Sequence, residues 1–195
     1  VVANMLEIML NECTKNKTPE ELEEEIELLG AMIRVSASDE DITVSVNTLT
    51  RNFEKTLAIV EEMLLQPRWD SLSFELAKTR TLNGLRRSSI DPTYLGSMAL
   101  SKLILGQDNI FSTDVSGTPE SVRAMTMDQI KEYYEKYISP SVARFLVVGS
   151  VDQPAVEKAL ASLSANWGAK EVQMPQVAFA PAPEKPVVYF VSIPD

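Results

Sequence analysis

Histidine is missing altogether from these 195 residues. Its absence excludes a Ser-His-Asp triad, a Cys-His dyad and any imidazole-held metal within the chain. The single cysteine, Cys13, leaves no intrachain disulfide framework and no thiolate cage. Seven glycines leave little material for ligand loops. There is no Gly-x-x-x-x-Gly-Lys-Ser/Thr phosphate loop, no Gly-x-Gly-x-x-Gly turn and no Asp-x-Asp-x-Asp-Gly calcium loop. Positive charge is scarce: 18 Lys and Arg face 28 Asp and Glu, for a net charge of −10 and a pI of about 4.6. That balance argues against a nucleic-acid binder, which gains affinity by neutralising phosphates. No apolar run approaches the ~18 residues of a membrane span. Residue 1 falls inside a helical pattern, so no signal peptide is read in this sequence, and the chain is expected to be a fragment.

The residues present are those of an ordinary globular protein, 45% hydrophobic and 24% charged. The length suffices for one substantial core, and two small domains are also compatible with it. The cluster Glu20-Glu21-Leu22-Glu23-Glu24-Glu25 reads as the solvated face of a helix, with attraction of basic peptides as the alternative.

Periodicity sets out the elements. Val2, Met5, Leu6, Met9 and Leu10 form one stripe of a helix over 1–12, with Asn4 and Ile8 roughly opposite. Thr18, Pro19 and Glu21 open a second helix with a capping box, and Gly30 stops it. Two alternating strands, 31–37 and 42–48, flank the polar link Ser38-Asp39-Glu40-Asp41 and predict an antiparallel hairpin. A helix over 52–66 turns Phe53, Leu57, Val60 and Leu64 inward and ends at Pro67. Asp70 caps a long helix to about Ser88. Asp91-Pro92 starts another, with Tyr94, Met98, Leu100, Leu103 and Ile104 as core contacts. Caps at Thr118 and Thr126 precede two more helices. Arg144–Gly149 reads as a strand buried on both faces. Asp152 caps a helix to about Leu163. A Pro-rich linker over 169–186 and a last strand, Val187–Ile193, follow. The order predicts an α+β fold: an antiparallel sheet covered on one face by helices, with a main domain over 1–168 and residues 187–195 as a return strand or the first strand of another domain.

Four motifs in this order resemble the insulinase/pitrilysin zinc metallopeptidases, of inverzincin type. Thr14 and the Glu-rich helix ending Gly30-Ala31 look like that family's Gly-Thr and Glu-rich helix ending Gly-Ala, with Cys13 in place of the glycine. The other two are Gly117-Thr118-Pro119-Glu120-Ser121-Val122, before the helix Thr126 to Tyr134, and Val147-Val148-Gly149-Ser150-Val151, similar to the family's Val-Val-Gly-Asp strand end. Relatives include the mitochondrial processing peptidase and the respiratory core proteins.

The resemblance implies a metal site at Asn4-Met5-Leu6-Glu7-Ile8, where the family carries His-x-x-Glu-His. Two histidines one turn apart reach one ion, and the glutamate takes a proton from the zinc-bound water. Counted from Gly30-Ala31, the histidine positions fall on Asn4 and Ile8, the base on Glu7, and a third ligand on or near Gly84. All three ligand positions are therefore substituted, no metal is expected here, and Glu7 reads as a solvated helix carboxylate, the remnant of a base. An enzyme using carboxylates alone would need several acids near Glu7, and only Glu12 shares its side.

In this family two similar halves close over a peptide chamber, one bearing zinc and one without ligands. The resemblance implies that this chain is the zinc-free kind, lacking its first strands and ending on a strand of the next domain. Its expected partners are a zinc-bearing half, in the same polypeptide or a second subunit, and a peptide substrate. Such peptides add to a sheet edge, here Arg34, Val35, Ser36 and Ala37 in the longer strand Ile33–Ser38, although the same residues read equally as an ordinary half-buried strand. An assembly protein of this fold without a protease partner, and an unrelated α+β binding module, are the other readings. Bacterial relatives are often envelope or periplasmic proteins.

Overall fold

Helix α1 (Val2–Glu12) lies at the centre of the chain's core in the computed structural model, which describes residues 1–107, 109–174, 176–177, 179, 181 and 185–190. Its stripe of Met5, Leu6, Met9 and Leu10 is fully buried, as the spacing predicts. Around it pack the hairpin, α4 (Ser71–Ser88) and α7 (Met127–Tyr137), through Val35, Phe74, Ala77 and Ile130. Burying four such side chains contributes about 6–12 kcal/mol of gross stabilisation before chain entropy is charged against it.

The turn after α1 is pinned to α3 (Phe53–Leu65). The Thr14 hydroxyl and the Lys17 ammonium both donate to the Glu62 carboxylate, and Lys17 also meets Glu25 at 3.2 Å. Burial pushes the Glu62 carboxyl up. Hydrogen bonds from Lys17 and Thr14 and the Lys17 charge outweigh that, so its pKa is lowered and that of Lys17 is raised.

Helix α2 (Pro19–Leu28) begins with the expected box: Glu21 N–H donates to the Thr18 hydroxyl and the Glu21 carboxylate receives Thr18 N–H. It ends in a Schellman turn, with Gly30 N–H on Glu27 C=O and Ala31 N–H on Ile26 C=O. Gly30 takes φ +59°, which a residue with a Cβ adopts only at a cost. Strands β1 (Met32–Ala37) and β2 (Ile42–Asn47) then pair antiparallel, with Ile33 opposite Val46, Val35 opposite Val44 and Ala37 opposite Ile42. These residues share the face toward α1, where Val35 is fully buried, while Met32, Arg34, Thr43, Ser45 and Asn47 are exposed. The α+β expectation therefore holds, with one hairpin and eight α-helices among the described residues.

Helix α3 is apolar on two sides. Ile59 and Met63 join the main core, while Leu57, Val60 and Leu64 meet Ala159 and Leu160 of α8 (Gln153–Asn166). Lys158 pairs with Glu54 at 2.9 Å along that seam. Helix α6 (Pro119–Ala124) is capped by Thr118 and held to α4 by the Lys78 ammonium, which donates to Arg123 and Met125 carbonyls at 3.1 Å.

Three expectations are corrected. Helix α5 (Pro92–Leu105) has no fully buried residue: Tyr94 and Met98 are half-buried and Leu100, Leu103 and Ile104 are exposed, because no described element packs on that side. Arg144–Gly149 forms no strand. Leu146 and Val148 are 90% and 101% exposed, since no strand among the described residues pairs with the segment. Residues 187–190 are irregular and exposed, and the rest of that expected strand, 191–193, lies outside the described residues, as do residues 194–195 and several positions of the expected linker 169–186.

Candidate functional site

The polar side of α1 carries Asn4, Glu7, Ile8, Asn11 and Glu12, spread over about two-fifths of the helix circumference by their ~100° spacing. They face α4, the cavity beside it and β1. Arg80 of α4 meets Glu12 at 2.7 Å and so joins the two helices. Asn4 and Ile8 face Gly84 of α4 across a cavity of about 300 Å3, closed on its third side by Asp114 and Ser116. The structure thus brings to one cavity the three positions that the resemblance assigns to metal ligands. Helix α4 puts Gly84 within reach because Arg80 and Gly84 are one turn apart on it.

The residues at this cavity do not fit zinc. Ile8 offers no donor atom, Gly84 has no side chain, and one Asn amide is a poor ligand beside imidazole or thiolate. No group of three His, Cys, Asp or Glu suited to a metal occurs among the described residues. Asn4 Oδ1 is buried and has no hydrogen-bond partner among them. An acceptor left so costs about 1–3 kcal/mol. A Cβ at Gly84 would meet nothing within 4 Å, so the cavity side of α4 is open there.

The loop after α5 supplies the third wall and holds its own acid. The Tyr94 hydroxyl donates to Asp114 Oδ2 at 2.9 Å, and Ser116 N–H donates to Asp114 Oδ1 at 2.7 Å. Burial, and then the bond to Asp114, push the Tyr94 hydroxyl up to about 12. It therefore stays a donor at any physiological pH. Glu12 is paired with Arg80, and Asp114 is held by Tyr94 and the Ser116 N–H.

Glu7 differs from its expected state. It is half-buried, and its Oε2 accepts Ala37 N–H of β1 at 2.8 Å. The position that the resemblance assigns to a lost base is a structural tie between α1 and the hairpin. One turn later Asn11 makes a second tie. Its Nδ2 donates to Val35 C=O at 2.8 Å and to Glu7 C=O at 2.9 Å, and its Oδ1 accepts Val35 N–H at 2.9 Å. The edge expected to take a peptide, Arg34, Val35, Ser36 and Ala37, therefore runs directly along α1. Sequence reasoning missed Asn11. Its signal was its place four residues after Glu7, on the polar side of a helix whose other side is wholly apolar.

Comparison with known proteins follows the same lines. A family model described as "Insulinase (Peptidase family M16)" matches residues 2–92, and one described as "Peptidase M16 inactive domain" matches residues 124–195. The chain is 23% identical over 135 residues to the non-peptidase homolog YmxG of Helicobacter pylori, covering 69% of this chain and 31% of that protein. It is 25% identical over 177 residues to an uncharacterized zinc protease of Mycobacterium leprae, covering 90% and 39%. The chain spans about a third of the length of these curated relatives. Among solved structures it resembles a peptidase M16 inactive domain from Pseudomonas fluorescens, with TM-score 0.82, 24% identity, and 91% of this chain and 44% of that one covered. It also resembles the first half of the periplasmic protease PqqL from Escherichia coli, with TM-score 0.76, 20% identity, and 90% and 39% covered.

Proposed function

We propose that this chain, matched over residues 2–92 and 124–195 by models of the insulinase (M16) peptidase family, is a non-catalytic domain that completes a peptide chamber and supports proteolysis by a zinc-bearing half elsewhere. One observation carries the reading. Asn4, Ile8 and Gly84, the positions assigned to the three ligands, meet at one cavity, and none of them is a useful zinc donor. On this reading the chain keeps the place of a metal site without its chemistry. Zinc is then the cofactor of the partner half, which sits in the same polypeptide or in a second subunit, and the shared substrate is a peptide. A place in the bacterial periplasm accords with the periplasmic PqqL, whose first half this fold resembles. No helix among the described residues is long and apolar enough to cross a membrane.

A second reading has its own support in the Helicobacter relative, whose name declares it no peptidase. Under it the chain is an assembly protein of the same fold with no protease partner. The two readings part in one experiment. The purified chain is assayed for zinc and for cleavage of casein, alone and mixed with the protein of an adjacent coding region that carries His-x-x-Glu-His. The chamber role expects no zinc and no cleavage alone, and faster, chelator-sensitive cleavage on mixing. Unchanged cleavage on mixing favours the assembly role. Stoichiometric zinc with cleavage by the chain alone overturns both.

A further inference from the structure

A bare strand edge is a row of N–H and C=O groups ready to pair with any extended chain. Among the described residues the sheet has two strands, so β1 turns one edge to β2 and the other to α1. In an antiparallel ladder successive residues point their backbone groups alternately toward the partner strand and away from it. Val35 and Ala37 are of the second kind, since their groups are bonded to side chains of α1.

The match is close to that of a real strand. A carboxamide carries the same donor and acceptor as a peptide group. Asn11 gives its N–H to Val35 C=O at 2.8 Å and receives Val35 N–H at 2.9 Å. That double exchange is what one residue of an added antiparallel strand would make. Glu7 Oε2 then receives Ala37 N–H at 2.8 Å, as the carbonyl of a second residue would. The spacing permits this, because four helical residues rise about 6 Å and two strand residues about 6.7 Å.

We infer that α1 keeps this edge of β1 closed to strand addition by an extended peptide, with Asn11 and Glu7 holding the backbone groups that the peptide would need. The inference deepens the chamber reading and rests on it only for its consequence: a peptide in the chamber must find its main-chain partners somewhere other than Val35 and Ala37. Opening the edge requires both side chains to swing away.

The test uses the protein alone, so failure of complementation by a zinc-bearing half leaves it intact. The probe is fluorescein-labelled, reduced and carboxymethylated lactalbumin, a permanently unfolded chain, read by anisotropy. Amide exchange at Val35 and Ala37 is followed in parallel. The variants are Glu7→Gln, which keeps an acceptor, and Asn11→Ala with Glu7→Ala, which removes all three bonds. Wild type and Glu7→Gln are expected to bind weakly and alike. The double variant is expected to bind roughly ten- to hundredfold tighter, the factor that three freed hydrogen bonds supply. Its Val35 amide should exchange faster when free and slow again when the probe is bound. Should the double variant fail to fold, Asn11→Ala alone supplies the same comparison with two bonds released. Binding by the wild type as tight as by the folded variant, or a variant edge that gains no affinity, overturns the inference.

Discussion

If Asn4, Ile8 and Gly84 occupy the ligand positions of a lost metal site, restoring donors there should restore zinc. The perturbation is the triple substitution Asn4→His, Ile8→His and Gly84→Glu. Its stability cost is small by the structure. A Cβ at Gly84 has open space around it, and replacing a helix-interior glycine gains about 0.5–1 kcal/mol. Replacing Asn4 removes a buried acceptor without a partner and gains up to about 1 kcal/mol. Ile8 is only partly buried against the core, so its loss costs roughly 1–2 kcal/mol. The terms nearly cancel, and the variant should fold. Two imidazoles at i and i+4 with a carboxylate from α4 make a three-ligand site of the open type. A micromolar or tighter Kd, about −8 kcal/mol, is expected. At a hundredfold excess of zinc over Kd the ion adds about 2.7 kcal/mol of stability, which for a chain of this size raises Tm by about 5–11 °C. Calorimetric titration and melting with and without zinc read both numbers. The variant lacking Gly84→Glu should bind more weakly, and the wild type should bind none. A folded triple variant that takes up no zinc refutes the convergence of these three positions on one point.

Three further outcomes follow from the same geometry. Asn4→Leu keeps the branching at Cγ, adds some volume beside the open cavity and removes the buried acceptor without a partner, so urea unfolding should show stability unchanged or raised by up to about 1 kcal/mol, and a loss of 2 kcal/mol or more would mean that Asn4 is satisfied. The Glu62–Lys17 pair should give a pH-dependent stability. The lowered pKa of Glu62 makes its contribution complete above about pH 4.5 and lost as pH falls through the folded value, whereas the raised pKa of Lys17 makes its contribution complete below about pH 10.5 and lost as pH rises through the folded value. Glu62→Gln should therefore cost about 1–3 kcal/mol near pH 7 and progressively less at pH 3 and pH 11, and a cost that stays constant with pH would remove the charge from the explanation. Gly30→Ala should lower stability by about 1–2 kcal/mol in thermal unfolding through its φ of +59° alone, since the nearest atom to the added Cβ, on Leu49, stands at an ordinary 3.7 Å, and an unchanged Tm would show that the turn relaxes.

Local rules carried the sequence a long way here. The caps at Thr18, Asp70, Thr118, Thr126 and Asp152 each make the bond that their chemistry predicts, because a helix terminus needs only neighbours in sequence. The hairpin followed from alternation and the inward stripe of α1 from spacing. What failed depended on neighbours far along the chain. Phe145-Leu146-Val147-Val148 has the composition of a buried strand and no strand beside it, and composition alone cannot supply one. The apolar residues Leu100, Leu103 and Ile104 of α5 are likewise left exposed among the described residues. At the cavity, the positions of Asn4 and Ile8 were legible because four residues make one helical turn. Their meeting with Gly84 came from motif spacing carried over by resemblance. The role of Asn11 was hidden, since an asparagine on a polar helix face usually bonds to water, and only the approach of β1 gives it Val35.

The hairpin has unequal sides. One margin is sealed by α1, while the margin of β2 pairs with no other strand among the described residues. A ribbon of this kind can be enlarged in one direction only. Any further strand that joins it, from the rest of the polypeptide or from another molecule, must stack beside Ile42–Asn47, and its order of attachment is thereby decided before it arrives.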